Sequence, residues 1–483
     1  MKYIVLNDRY SLRNERTCSY IVRKSLYVDS DLNNYQTIYP IPPFLGYIIS
    51  NIGKMEYSLS IIAIGEALGI DSSILQHFLS QIVGQPSKSV SFLGKEIVFP
   101  EHLLIYSTQK DEALHFSVKD FSPMNAYIQC RPQTPVTVNF MVTEKCNTNC
   151  IYCYAKRDTK KELSTSEILN LFQKISNTGI VNLTLTGGDI FARDDWYDII
   201  SLSKNAGFNN LISTKTILDD INIFRLKQLG IQRIQFSLDS VSPDILKDVI
   251  KVSRGYVEKL KTMFHTCNKY EMEISLRTVL CRQNSNIEAI KELCDFVEIN
   301  KCIVNWVITP AFYSENKENY NDYAVSNEKL KRVFSYLQTR RMRIHPLFNK
   351  INKDGYILQR AKNVEDFVED NQICYANTYS MSILPSGDCT VCEMLYYNKD
   401  FILGNIKYMS IDEIWNSKKA LDLYSPARNK ISKESACSSC AVFDICKGSI
   451  AKRVCYVDIM KVHKHSDYPD PKCPQSLICD YIL

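Results

Sequence analysis

The rhythm of hydrophobic and polar positions changes twice along the chain. In the first hundred residues the short apolar runs "KYIVLN" and "CSYIVRKSLYV" read as strands. Three further stretches repeat at helical spacing: "PPFLGYIISNI", "YSLSIIAIGEALGI" and "DSSILQHFLSQIVG", the last opening on Asp71 and Ser72 as N-cap candidates. "SVSFLGKEIVF" alternates on both sides of a glycine and predicts a β-ribbon. Strands, three helices and a ribbon predict a winged-helix-like α+β domain over residues 1–120.

From about residue 134 strands alternate with helices. Six strands are predicted at "VTVNFMVT", "VNLTLTG", "NNLISTK", "IQRIQFSLD", "EISLRTVL" and "IVNWVITP". Helical stretches between them include "STSEILNLFQKIS", "DDWYDIISLSKNAG", "LDDINIFRLKQLG" and "NIEAIKELCDFVEI". Such alternation argues parallel βα units with right-handed crossovers. Six strands are too few for the usual closed eight-stranded barrel, so an α/β partial (βα)6 barrel is expected over 130–320. Its ligands belong at the carboxyl ends of the strands. Residues 321–372, charged and helical in pattern, form a bridge. Residues 373–483 have short turns and many cysteines, the pattern of a domain built around metal clusters.

Composition narrows the function classes. A chain of 483 residues, 45% hydrophobic and 23% charged, is that of a soluble multi-domain protein. A net charge of +5 does not announce nucleic acid. The third N-terminal helix carries Gln76, His77 and Gln81 but no Lys or Arg, which counts against the DNA-binding use of a winged helix. The N-terminus lacks an apolar signal core and no run is long enough to span a bilayer, so a cytoplasmic protein without a membrane partner is expected. Cytosolic thiols stay reduced, so eighteen cysteines point to metal or iron–sulfur ligation rather than disulfides. Isolated ones, such as Cys18, Cys130, Cys267, Cys281, Cys294 and Cys302, read as small buried hydrophobes.

"KCNTNCIYCYAKR" sets Cys146, Cys150 and Cys153 at C-x-x-x-C-x-x-C directly after the first barrel strand. Three thiolates can hold three irons of a [4Fe–4S] cubane and leave the fourth open to a small chelator. Zinc with a distant fourth ligand is the alternative. With an aromatic residue before the last cysteine, the motif resembles the radical S-adenosylmethionine (SAM) enzymes. That resemblance implies that SAM binds the open iron and yields, on reduction, a 5′-deoxyadenosyl radical that abstracts hydrogen.

The resemblance extends to other strand ends. "LTLTGGDIF" is similar to the family's Gly-Gly-Glu-Pro motif, which implies that Gly187 and Gly188 let backbone approach the ligand while Asp189 stands in for the glutamate that receives the SAM amino group. Ile190 replaces the proline. "QFSLDS" matches a Ser-x-Asp and implies that Ser237 and Asp239 lie near the SAM carboxylate or ribose. Arg254 resembles a carboxylate-pairing arginine, Ser213 and Thr214 end the third strand, and Tyr152 is expected beside the adenine. A solvated arginine and a core tyrosine would look the same in sequence.

In the last quarter, Cys374, Gly387 and Cys392 are followed by "CSSCAVFDIC" (Cys437, Cys440, Cys446), Cys455 and Cys473. In this order the field resembles the SPASM extension with two auxiliary [4Fe–4S] clusters. The resemblance implies Cys374, Cys392 and Cys455 on one cluster and Cys437, Cys440, Cys446 and Cys473 on the other. The family's next cysteine falls here on Ile450, which implies a short insertion before Cys455. Cys389 either completes the first set or, like Cys479, is a spare thiol. Glu393, beside Cys392, is either a base at the active-site mouth or a turn carboxylate.

SPASM enzymes with an N-terminal winged unit resemble maturases of ribosomally made peptides. The implied function is leader capture as an added β-strand, hydrogen abstraction from the core peptide, and oxidative cross-linking through a carbon–carbon or thioether bond. An electron donor such as a flavodoxin or ferredoxin is expected. Epimerisation, sulfatase-maturase-like side-chain oxidation, a nucleic-acid-associated iron–sulfur protein and a scaffold that no longer cleaves SAM are the alternatives.

Overall fold

Where the predicted apolar rhythms run, the chain forms the corresponding elements. The computed structural model describes residues 2–24, 36–155, 161–313, 319–349, 360–370, 374–396, 398–448 and 454–476. Cys479 and Ile450 lie outside the described residues. The chain packs as two compact units, Met1–Val136 with Asn177–Asn182, and Thr137–Ser176 with Leu183–Leu483.

In the first unit, β1 (Tyr3–Leu6), β2 (Tyr10–Asn14), β3 (Ser19–Arg23) and β4 (Ile38–Ile41) precede α1 (Pro43–Asn51), α2 (Tyr57–Leu68) and α3 (Ser72–Ser80). There follow β5 (Lys88–Phe92), β6 (Lys95–Phe99), β7 (Leu104–Ser107) and β8 (Phe116–Ser117). A four-stranded sheet runs β4-β3-β2-β8, β1 pairs with β7, and β5 with β6. Leu93 and Gly94 both take positive φ, closing the β5–β6 ribbon with a two-residue turn whose twist suits a hairpin. Asp71 is the α3 N-cap, accepting from the Ser73 N–H at 2.8 Å, and Ser72 is the first helical residue. Leu75 and Leu79, four apart, fall on one face of α3 and are buried in the core with Ile48, Ile61, Ile64 and Phe99. Gln76 and His77 are exposed. Among the described residues no single helix is long and apolar enough to cross a membrane.

The second unit begins with β9 (Thr137–Thr143), α4 (Thr165–Ile175), β10 (Asn182–Gly187), α5 (Trp196–Asn205), β11 (Asn209–Thr214) and α6 (Asp220–Gln228). It continues with β12 (Arg233–Ser237), α7 (Pro243–Ile250), α8 (Tyr256–Lys269), β13 (Glu273–Leu280), α9 (Ile287–Ile299) and β14 (Ile303–Pro310). All six predicted strands are present. The β12–β13 crossover holds two helices, separated at Lys251, which takes positive φ. Beyond β14 lie α10 (Tyr320–Tyr323), α11 (Asn327–Thr339), β15 (Leu347–Phe348) and α12 (Val364–Asp370). The segment expected to be a helical bridge therefore also contributes a strand.

The cysteine-rich region contains β16 (Ser380–Ile383), β17 (Asp388–Thr390), β18 (Ile402–Asn405), α13 (Ile411–Trp415), α14 (Lys418–Tyr424), α15 (Phe443–Cys446) and α16 (Tyr456–His463). One ten-stranded sheet runs β15-β14-β13-β12-β11-β10-β9-β16-β17-β18. β11 to β15 are parallel, and β16 joins β9 in parallel with Ser382 opposite Asn139. β17 and β18 continue antiparallel. The barrel is thus partial and open, and the last quarter extends its sheet from the β9 side.

Candidate active site

The three-cysteine loop leaves the carboxyl end of β9 and is sewn to the end of α7, with the Asn149 N–H donating to the Ile250 carbonyl at 3.0 Å and the Ile151 N–H to that of Val249 at 2.9 Å. The Thr148 hydroxyl lies between two thiols, 3.3 Å from Cys146 Sγ and 3.6 Å from Cys150 Sγ. Burial, with added charge from Asp239 and Cys153, pushes the Cys150 thiol up to about 11. The Asn147 amide reaches the Thr216 hydroxyl at 3.0 Å, tying this loop to the one that follows β11.

Gly187 and Gly188 do make a close approach possible, but in this structure to the protein's own backbone. A Cβ on Gly187, where φ is +137°, would lie 2.4 Å from the Thr143 carbonyl oxygen, and one on Gly188 would lie 2.0 Å from that of Lys145. The glycine pair seats β10 against the neck of the cysteine loop.

Asp189 is buried, and its carboxylate is filled from within. Oδ2 accepts from the Thr214 hydroxyl at 2.7 Å and from the Lys215 and Thr216 N–H groups at 3.0 and 3.2 Å, while Oδ1 accepts from the Phe191 N–H at 3.1 Å. Burial raises its pKa, and these donors oppose the rise. The carboxylate expected to receive an ammonium group caps the loop beyond β11. Aspartate is one methylene shorter than glutamate, which keeps the group at that loop.

Asp239 is the hub of the site. Its Oδ2 accepts from the Tyr152 hydroxyl and pairs with Lys215 Nζ at 2.8 Å; its Oδ1 accepts from the Val279 N–H at 3.0 Å. The Tyr152 phenol is raised well above its usual range by burial and by the Asp239 charge. Ser213 Oγ accepts from the Gln235 amide at 2.7 Å on the neighbouring strand, and Ser237 ends β12. Arg254 is not brought in: its exposed guanidinium pairs with exposed Asp244 at 2.7 Å. The expected carboxylate-pairing role therefore has no support in the fold. The cation that does enter is Lys215, which sequence reasoning passed over inside "STKT"; its place directly after a barrel strand was the available signal.

Glu393 lies where β9 and β16 meet. Its Oε2 accepts from Ser382 Oγ at 2.9 Å and Asn139 Nδ2 at 3.3 Å. Tyr154, also missed, connects two regions. It packs against Met141 of β9 and against Leu384 and Tyr396 of the cysteine-rich region, and its phenol is pushed far up, first by burial.

Those cysteines fall into two groups. Burial raises the Cys392 thiol, with Glu393, Cys374 and Cys455 adding to the rise. Cys437, Cys440, Cys446 and Cys473 line one pocket with Phe367, Phe443 and Asp470. Burial and the neighbouring thiols push Cys446 up to about 12 and Cys473 to about 11. Asp470 joins the groups, accepting from the Cys455 N–H at 2.8 Å three residues before Cys473. Cys389 is fully buried on β17, its thiol directed to the Gly387 carbonyl. No disulfide forms among the described cysteines. Nor do three His, Cys, Asp or Glu side chains among them converge as ligands of a single ion do. A cubane takes one thiolate per iron, so thiols spread around a cavity suit it. The donor set fits iron–sulfur clusters.

Two family models match this arrangement, the Radical SAM superfamily over residues 140–297 and an iron–sulfur cluster-binding domain, SPASM, over 374–441. The chain carries a radical SAM domain and a SPASM iron–sulfur domain. The domains imply [4Fe–4S] clusters and SAM as cofactors. This radical SAM/SPASM chain is 23% identical to Fe-coproporphyrin III synthase of Methanosarcina barkeri over 76% of its length and 90% of that protein. It is 22% identical to the PqqA peptide cyclase of Rhizobium meliloti over 72% of its length and 88% of that protein. Its fold matches Streptococcus suis SuiB bound to precursor peptide SuiA with a TM-score of 0.63 and 14% identity, covering 98% of this chain and 100% of that one.

Proposed function

We propose that this radical SAM/SPASM protein is a peptide maturase that captures a ribosomally made precursor through its leader and cross-links the core peptide oxidatively. The observation that carries the reading is the placement of a three-thiol loop at the carboxyl end of β9, with Glu393 held by a β9 side chain of the same sheet. The PqqA peptide cyclase likeness and a SuiB-like fold over nearly the whole chain support a peptide substrate. Residues 1–120 serve as the leader-recognition domain, 130–320 as the partial barrel, 321–372 as the bridge and 373–483 as the SPASM domain. A sheet edge in the first unit takes the leader as an added strand, through backbone hydrogen bonds that need no cationic helix.

When bound, the cluster and SAM supply one-electron reductive cleavage and hydrogen-atom abstraction, with the electron drawn from a flavodoxin- or ferredoxin-type donor. The chain's own residues do the rest. Cys146, Cys150 and Cys153 hold the SAM-binding cluster, and the two C-terminal sets hold the auxiliary ones. Tyr152, Ser213, Ser237 and Asp239 line the cofactor side. Glu393, with Oε2 fixed by two donors, accepts the substrate proton.

The test is anaerobic incubation of the reconstituted, reduced protein with SAM and a candidate precursor peptide taken from the neighbouring genes. A loss of two hydrogens from the peptide, with 5′-deoxyadenosine released, is expected. Deoxyadenosine with no mass change would point to epimerisation or to the wrong peptide. Absence of deoxyadenosine under all conditions would overturn the enzymatic reading.

A further inference from the structure

Lys215 is a site residue that the family motifs did not single out. Its backbone is held from both sides, the N–H by Asp189 Oδ2 at 3.0 Å and the carbonyl by the Tyr256 hydroxyl at 2.7 Å. Its side chain, 13% exposed, ends 2.8 Å from fully buried Asp239 Oδ2, with the ammonium 5.7 Å from the centre of the Tyr152 ring. Burial alone would strip the proton from such an amine. The Asp239 carboxylate, through its charge and its contact with Nζ, outweighs that and raises the Lys215 pKa. A buried ion pair of this kind roughly breaks even on stability. Asp239 is already served by Tyr152 and the Val279 N–H, so an apolar residue at position 215 would not leave it without donors. The charge itself is what the position supplies, and Lys215 lines one pocket with Asn147 and Thr148 of the cysteine loop.

We propose that Lys215 is a positioning residue for charge: it sets the reduction potential of the cluster that Cys146, Cys150 and Cys153 hold. This rests on the proposed reading of those cysteines as cluster ligands. A cation in a poorly solvated site stabilises the more negative, one-electron-reduced cluster, so it raises the potential. Asp239 opposes it, and Asp189 fixes the distance by capping the loop from Thr214 to Thr216.

The experiment is a dithionite titration of the full-length, anaerobically reconstituted protein, followed by electron paramagnetic resonance. The signal missing from a C146A/C150A/C153A variant identifies the cluster concerned. Lys215→Met is expected to move its midpoint to more negative potential, Lys215→Arg to leave it near wild type, and Asp239→Asn to move it to less negative potential. An unmoved midpoint in K215M, or equal shifts in K215M and K215R, would overturn the proposal. If K215M fails to retain iron, K215R and D239N decide: a less negative D239N midpoint supports the charge argument, and an unmoved one sinks it. A wild-type protein with no signal that depends on the three cysteines would instead refute the cluster reading itself.

Discussion

Replacing Asp189 with alanine removes a buried carboxylate that four donors share. Two of them, the Thr214 hydroxyl and the Lys215 N–H, lose their acceptor, while the Thr216 N–H keeps a second bond to the Thr214 hydroxyl at 2.8 Å. A buried donor left unpaired costs about 1–3 kcal/mol, and hydrogen bonds to a charged group lie at the upper end. Partial relaxation of the loop toward solvent recovers some of this, so the expected loss is about 4 kcal/mol. With a urea slope of about 3 kcal/mol/M or more for a unit of this size, the unfolding midpoint falls by about 1 M. The assay is anaerobic urea unfolding followed by tryptophan fluorescence, since Trp196, Trp306 and Trp415 all lie in the second unit. Because Asn147 bonds Thr216, the same variant should also lose iron from the first cysteine loop. Asp189→Asn turns one charged acceptor into a neutral amide and should fall between alanine and wild type. A D189A midpoint within about 0.2 M of wild type, with full iron content, would show that the carboxylate is not the staple of the β11 loop.

Three further outcomes are expected. Gly188→Ala has no room for a Cβ 2.0 Å from a backbone oxygen, so it should displace the neck of the cysteine loop and abolish assembly of the cluster there, read as iron per chain. Arg254→Ala should change stability by less than about 0.5 kcal/mol and leave SAM affinity at the wild-type value by equilibrium dialysis, because the arginine is exposed and paired only with exposed Asp244. Cys389→Ala should keep its full iron and cost about 1 kcal/mol as a small core cavity, whereas Cys473→Ala should lose up to about four irons.

The local pattern alone was enough to mark the six barrel strands, the helices that follow them, the ribbon and the α3 cap. Period and capping chemistry act over a few residues, and here nothing in the tertiary structure overrides them. The three-cysteine spacing was equally legible, since the ligands sit on one short loop. The long-range partnerships were not. Whether Asp189 faces a ligand or the next strand's loop depends on how closely two glycines let β10 approach the loop neck. That Lys215 enters the site while Arg254 stays in solvent is decided by which side of a loop each residue faces. Spacing likewise left Cys389 open, and the alternation of β17 turns it into the core. Sequence records which groups are available, but a carboxylate or an ammonium ion is assigned by what surrounds it, and those surroundings come from chain segments 24 to 87 residues away.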